Sequence, residues 1–127
     1  MKVAYVDTSC LVAIALSEKG IAPGLTRRIN AFDELVSSNL LEAEMRAVFA
    51  REKVAVGVTL PFRVSWILPD RPLTGEIARV LAAGYVRGAD CWHLATALYL
   101  TDDPSSLTFL TVDERQKSVA VSLGFEV

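Results

Sequence analysis

Apolar and polar positions along the chain follow two periods in turn. Val3 to Val6 is a short apolar run that stops at Asp7-Thr8-Ser9, after which Leu11, Val12, Ala15 and Leu16 recur at helical spacing. This pattern predicts a buried strand feeding a helix. Gly20, Pro23 and Gly24 interrupt it, and Leu25 to Phe32 resumes it as a second helix. Glu34 to Ser37 reads as a second strand, with Ser38 and Asn39 available to cap a long amphipathic helix from Leu40 to Arg51. Between Val54 and Arg63, Gly57 and Pro61 break up any period. Trp66 to Leu68 predicts a third strand. Pro72 suits the first position of a helix running to Ala83 and closed by Gly84. Gly88 to Leu100 is a strongly apolar helix, and Asp102 to Ser105 is a loop. Leu107 to Leu110 predicts another buried strand, Asp113 to Leu123 a helix with Gly124 as its C-cap, and Phe125 to Val127 a last strand. Strand and helix in repeated succession imply an α/β fold with a mainly parallel sheet covered on both faces. No internal repeat or linker divides the chain, so residues 1–127 are read as one domain.

Composition narrows the class. Of 127 residues, 52% are apolar and 22% charged, which excludes a disordered tail, a basic nucleic-acid coat and a low-complexity linker. The apolar stretch from Cys10 to Leu16 is far shorter than the roughly 20 residues of a membrane span, and no signal pattern follows Lys2. A cytoplasmic protein with no membrane partner is expected. Cys10 and Cys91 each lie in an apolar helical run without a CxxC or a nearby histidine, so both are expected as buried thiols. A single histidine excludes a His-rich metal site. The net charge of −2 gives no electrostatic invitation to nucleic acid.

The acids change that picture. Asp7 and Asp113 each sit between a strand and a helix, where an N-cap is the ordinary role, and Asp113 with Gln116 resembles a capping box. Asp90 lies in the first turn of the Gly88 helix, where the helix dipole favours a negative charge. Glu44 is out of place. Three and four positions away it has Leu40, Leu41, Ala47 and Val48, so its carboxylate falls on an apolar stripe, where it needs a partner. Glu42 points elsewhere on the same helix and suits a capping box with Asn39 or an ion pair with Arg46.

Ligands of an open α/β sheet collect beyond the carboxyl ends of its strands. Asp7 and Asp113 both leave strands at that edge. Were Glu44 and Asp90 to face the same crevice, four carboxylates would converge with no Lys or Arg among them, and would repel one another unless cations lay between them. All-oxygen ligands of this kind suit Mg²⁺ or Mn²⁺, ions able to activate water against a phosphodiester.

Asp7-Thr8-Ser9, Ser38 with Glu44, Gly88-Ala89-Asp90-Cys91-Trp92-His93-Leu94-Ala95, Leu110-Thr111-Val112-Asp113-Glu114-Arg115 and Leu123-Gly124-Phe125-Glu126-Val127 together resemble a PIN domain, and within that family the VapC-type ribonuclease toxins of type II toxin-antitoxin systems. The resemblance implies a three-layer α/β/α sandwich around a parallel sheet of order 3-2-1-4-5. It also implies a Mg²⁺- or Mn²⁺-dependent endoribonuclease, a homodimer, and a cognate antitoxin whose C-terminal segment fills the groove. Asp7, Glu44, Asp90 and Asp113 match the family's acidic quartet, and Thr8, Ser9 and Thr111 its supporting hydroxyls. The family usually has Asp-Ala, an apolar residue and then His-Leu-Ala; here Cys91 and Trp92 fill the intervening positions.

His93, three residues after Asp90, is placed either to meet a phosphate or carry a proton, or to be a histidine satisfied in the core, which is the commoner fate. Trp92 and Tyr99 have the same two readings, base stacking or core. Arg46 and Arg115, each two residues from a site acid, are the RNA contacts singled out from a basic set that also holds Arg27, Arg28, Arg51, Lys53, Arg63, Arg87 and Lys117; such contacts position a backbone and read no sequence. Two other families with an Asp after the first strand fit less well. A haloacid-dehalogenase-like phosphatase needs a second Asp where Ser9 stands, and a receiver domain needs paired acids near Tyr5-Val6. A PIN-fold module that binds RNA or protein without activity is the remaining alternative.

Overall fold

The computed structural model describes residues 1–17, 20–53 and 63–127; most of the Val54–Arg63 stretch lies outside the described residues. The elements are β1 (Val3–Val6), α1 (Thr8–Ala15), α2 (Ala22–Ile29), β2 (Glu34–Ser38), α3 (Leu40–Arg51), β3 (Ser65–Ile67), α4 (Thr74–Ala83), α5 (Gly88–Leu100), a 3₁₀ turn (Pro104–Ser106), β4 (Thr108–Leu110) and α6 (Glu114–Leu123). All strand pairs are parallel and the order is β3-β2-β1-β4.

Alternation along the strands builds the layers. Ala4, Val6, Leu35 and Leu110 face one side, where they pack with Cys10 and Leu11 of α1, Ile29 of α2 and Leu41 and Met45 of α3. Tyr5, Val36 and Phe109 face the other side, against Val80 of α4, Leu94 and Leu98 of α5, and Val119 and Leu123 of α6. A sheet buried on both faces needs apolar side chains in both directions, and β1 supplies them with Val-Ala-Tyr-Val. Cys10 and Cys91 are buried and unpaired.

Four expectations need correction. The strand expected at Phe125–Val127 is reduced to one parallel bridge, Thr108 with Glu126, so among the described residues the sheet has four strands rather than five in the order 3-2-1-4-5. Glu126 makes both bonds of the bridge, Phe109 N–H to Glu126 O and Glu126 N–H to Leu107 O, and Gly124, the preceding residue that would face β4, is held left-handed as the α6 C-cap with its N–H on the Val121 carbonyl. The second helix begins at Ala22 rather than Leu25, because Pro23 fits its first turn, where a missing N–H is harmless. Pro72 precedes α4 instead of opening it: Leu73 turns into the core and the helix starts at Thr74. The loop expected at Asp102–Ser105 tightens into the 3₁₀ turn, with Asp103 as its cap.

Candidate functional site

Asp7 ends β1 and caps α1. Its Oδ1 accepts from the Cys10 N–H (3.2 Å) and the Ser9 hydroxyl (2.6 Å), and its Oδ2 from the Thr111 hydroxyl (2.7 Å). The carboxyl is 3% exposed. Burial pushes its pKa up, against the pull of the Ser9 and Thr111 hydrogen bonds. Capping is therefore real, and it is only part of what the residue does: two hydroxyls from opposite ends of the sequence fix the carboxylate at the sheet edge.

Glu44 leaves α3 beside Leu41 and Met45, the buried residues of that helix, and is itself half-buried; Ala47, expected on the same stripe, is exposed. The partner that burial demands is double. Thr8 Oγ1 donates to Glu44 Oε1 (2.7 Å), and His93 Nε2 lies 2.7 Å from the same oxygen. Burial raises the Glu44 carboxyl, but the bonds from His93 and Thr8 outweigh it and hold the group below its ordinary range. His93 is fully buried, and its Nδ1 meets the Tyr5 hydroxyl at 2.7 Å. Of the two readings weighed for it, this is the histidine satisfied in the core, with a site acid as one of its partners.

Asp90 opens α5 with its carboxylate half-buried. Burial and the charges of Asp113 and Glu44 raise its pKa, opposed by Arg87 and His93. Asp113 caps α6 through Oδ1, which accepts the Gln116 N–H (2.8 Å). The capping box expected here is half-formed. Gln116, fully buried, turns its side chain inward: Oε1 lies 3.0 Å from Thr111 Oγ1 and Nε2 approaches the Asp90 carbonyl oxygen (3.4 Å), while the Asp113 N–H donates to Thr111 (3.0 Å). Through Thr111 and Gln116, elements carrying Asp7, Asp90 and Asp113 are tied together.

The donor chemistry fits a hard divalent cation. The acids are all-oxygen, mutually repulsive at Asp90, and none forms an ion pair with Lys or Arg among the described residues. No three His, Cys, Asp or Glu side chains among the described residues are drawn together closely enough to hold an ion as they stand. Mg²⁺ is commonly held by one or two carboxylates, with water and substrate phosphate completing its shell.

The PIN domain family model matches residues 4–122. The chain belongs to the PIN domain family. No curated protein and no solved structure gives a significant match. The PIN domain is generally a nuclease fold whose members typically use divalent metal ions.

Around the PIN site the other candidates separate. Arg46 pairs with Glu42 (3.6 Å) on an exposed face of α3, one of the two arrangements expected for Glu42; the Asn39 side chain makes no cap. Arg115 stacks over the exposed ring of Tyr85, 6.0 Å from its centroid. Trp92 and Tyr99 pack against the core, and Tyr99 is engaged by Asp70 (2.9 Å) and Arg71. No helix among the described residues is long and apolar enough to cross a membrane. Sequence reading gave Tyr5 no role, took Ser38 as a helix cap and a motif residue, and took Gln116 as a capping-box partner only. The available signal was Tyr5, a hydroxyl in the middle of a buried apolar strand, which must find a partner.

Proposed function

We propose that this PIN domain is a Mg²⁺- or Mn²⁺-dependent endoribonuclease and the toxin of a type II toxin-antitoxin pair, working as a homodimer and silenced by a cognate antitoxin. The observation that carries the nuclease reading is that Asp90 on α5 feels the charges of Asp113, the α6 cap, and of Glu44 on α3, while none of these acids has a Lys or Arg ion pair among the described residues. Asp7, Asp90 and Asp113 would hold the metal directly or through water, and Glu44 would complete the site and orient the attacking water. Bound metal supplies an activated water and neutralises charge on the phosphodiester. The protein's own part is positional. Ser9 and Thr111 fix both oxygens of Asp7, and Thr8 fixes Glu44. These hydroxyls orient the carboxylates, and attack by water needs no covalent protein nucleophile. Arg46 and Arg115 stand two residues from Glu44 and Asp113 and would meet the RNA backbone. Exposed Leu81 and Tyr85 at the end of α4 suit an interface with a second copy or an antitoxin.

The test is expression of the chain alone, as wild type and as Asp7→Asn, with cellular RNA ends mapped. The wild type arrests growth and leaves defined cut sites; the variant does neither, because an amide cannot accept all three of the bonds Asp7 accepts. Cutting by Asp7→Asn at the wild-type level overturns the scheme. An inactive PIN-fold RNA- or protein-binding module is the second reading, favoured by the spacing of the acids, and cleavage-free RNA in the wild-type arm would establish it.

A further inference from the structure

The Tyr5 oxygen accepts the Ser38 backbone N–H (3.1 Å) and meets His93 Nδ1 at 2.7 Å. His93 Nε2 lies 2.7 Å from Glu44 Oε1, and because a carboxylate only accepts, Nε2 is the donor of that bond. Phe109 stacks on Tyr5 (centroids 5.1 Å apart, planes 7° from parallel), and Tyr5 meets His93 edge-on. The line of contacts runs from the β2 backbone through β1 and α5 to an acid on α3. A histidine merely satisfied in the core needs any two partners. Here both ring nitrogens are committed, and the outcome is two donors, Thr8 and His93, on one oxygen of Glu44. Its Oε2 has no hydrogen bond among the described residues.

We propose that Tyr5 and His93 are positioning residues for Glu44: they pin Oε1 and leave Oε2 as the single oxygen offered to the site's cation. The inference rests on the metal-dependent nuclease reading above. Partners of this outer kind typically matter tenfold to a hundredfold in metal affinity.

The experiment is Mn²⁺ binding followed by electron paramagnetic resonance, without RNA, on wild type, His93→Leu, His93→Gln, Tyr5→Phe, Glu44→Ala and the Glu44→Ala/His93→Leu double variant. His93→Leu raises half-saturation by about tenfold or more. His93→Gln, whose amide nitrogen reaches the place of Nε2, recovers most of the loss, and Tyr5→Phe falls between. In the Glu44→Ala background His93→Leu adds nothing, because its effect passes through Glu44. Unchanged binding in His93→Leu, or a loss that adds to that of Glu44→Ala, overturns the proposal while wild-type binding and RNA cleavage leave the nuclease reading standing. A wild type that neither binds Mn²⁺ nor cuts RNA overturns both. Should His93→Leu fail to fold, the wild type itself decides: this is the chain's one histidine, so nitrogen NMR shows a single imidazole. A proton on Nε2 is expected, and an Nε2 that carries none overturns the proposal.

Discussion

Asp90 sits half-buried beside Asp113 and Glu44, and its ionised form is disfavoured first by burial and then by those neighbours. A carboxyl whose pKa is higher folded than unfolded costs stability once it ionises, so its penalty grows as pH rises through the folded value and vanishes below the unfolded one. Asp90→Asn is therefore expected to raise the melting temperature of the metal-free protein at neutral pH, with the gain fading as pH falls toward the range where both forms are protonated. Calorimetry across that range checks it, and an unchanged or lower melting temperature at neutral pH contradicts it. Glu44 has the opposite sign, its carboxylate being favoured by His93 and Thr8, so its stabilisation is present above the unfolded value and lost on acidification through the lower folded one. At this scale Glu44 was legible, since a carboxylate at the margin of a helix's buried face needs an explanation. Its partners were not: Thr8 is 36 positions away and His93 is 49, and no local period encodes such a pairing.

The ends of α3, α4, α5 and α6 were legible because caps and breakers act within a turn, whereas the starts of α2 and α4 were not. Gly124 ends α6 in the left-handed region at φ 100°, as its place after an apolar run implies. Gly84 ends α4 for a different reason. Its backbone is extended, and a Cβ there would lie 2.9 Å from Val119 Cγ2, so the glycine lets α4 approach α6. Gly84→Ala is expected to cost about 1–3 kcal/mol of stability by overpacking this contact. Chemical denaturation of Gly84→Ala, Val119→Ala and the double variant checks the cause: the double variant is more stable than the two single losses summed, because the small residue at 119 makes room for the new methyl. Additive losses would show that the contact is not responsible. The lost fifth strand belongs to this scale as well. Phe125 alternates correctly for a strand and is buried, but Gly124 before it is held left-handed in the α6 cap, and local capping prevailed over ladder formation.

For the molecule as a whole, the modest negative charge is concentrated in the acids of the site, and setting those four aside turns the −2 of the chain slightly positive. Metal rather than a basic surface is then expected to govern both stability and RNA affinity. Mn²⁺ at a hundred times its dissociation constant should stabilise the native state by about 2.7 kcal/mol, a rise of several degrees in a thermal melt. The same titration on Asp7→Asn should give a much smaller rise, and equal shifts would place the ion elsewhere. The sequence by itself determined the alternation of strand and helix, the two-faced burial of β1 and the chemistry of the acids, because these follow from the local period and from what each side chain is. Tertiary structure alone decided that Thr111 serves Asp7 across 104 positions, that Gln116 turns inward to join Thr111 to Asp90, and that the Tyr5 hydroxyl meets His93. A directed hydrogen bond depends on angles and distances between groups that only sheet order and helix packing bring together. Neither composition nor periodicity contains that information.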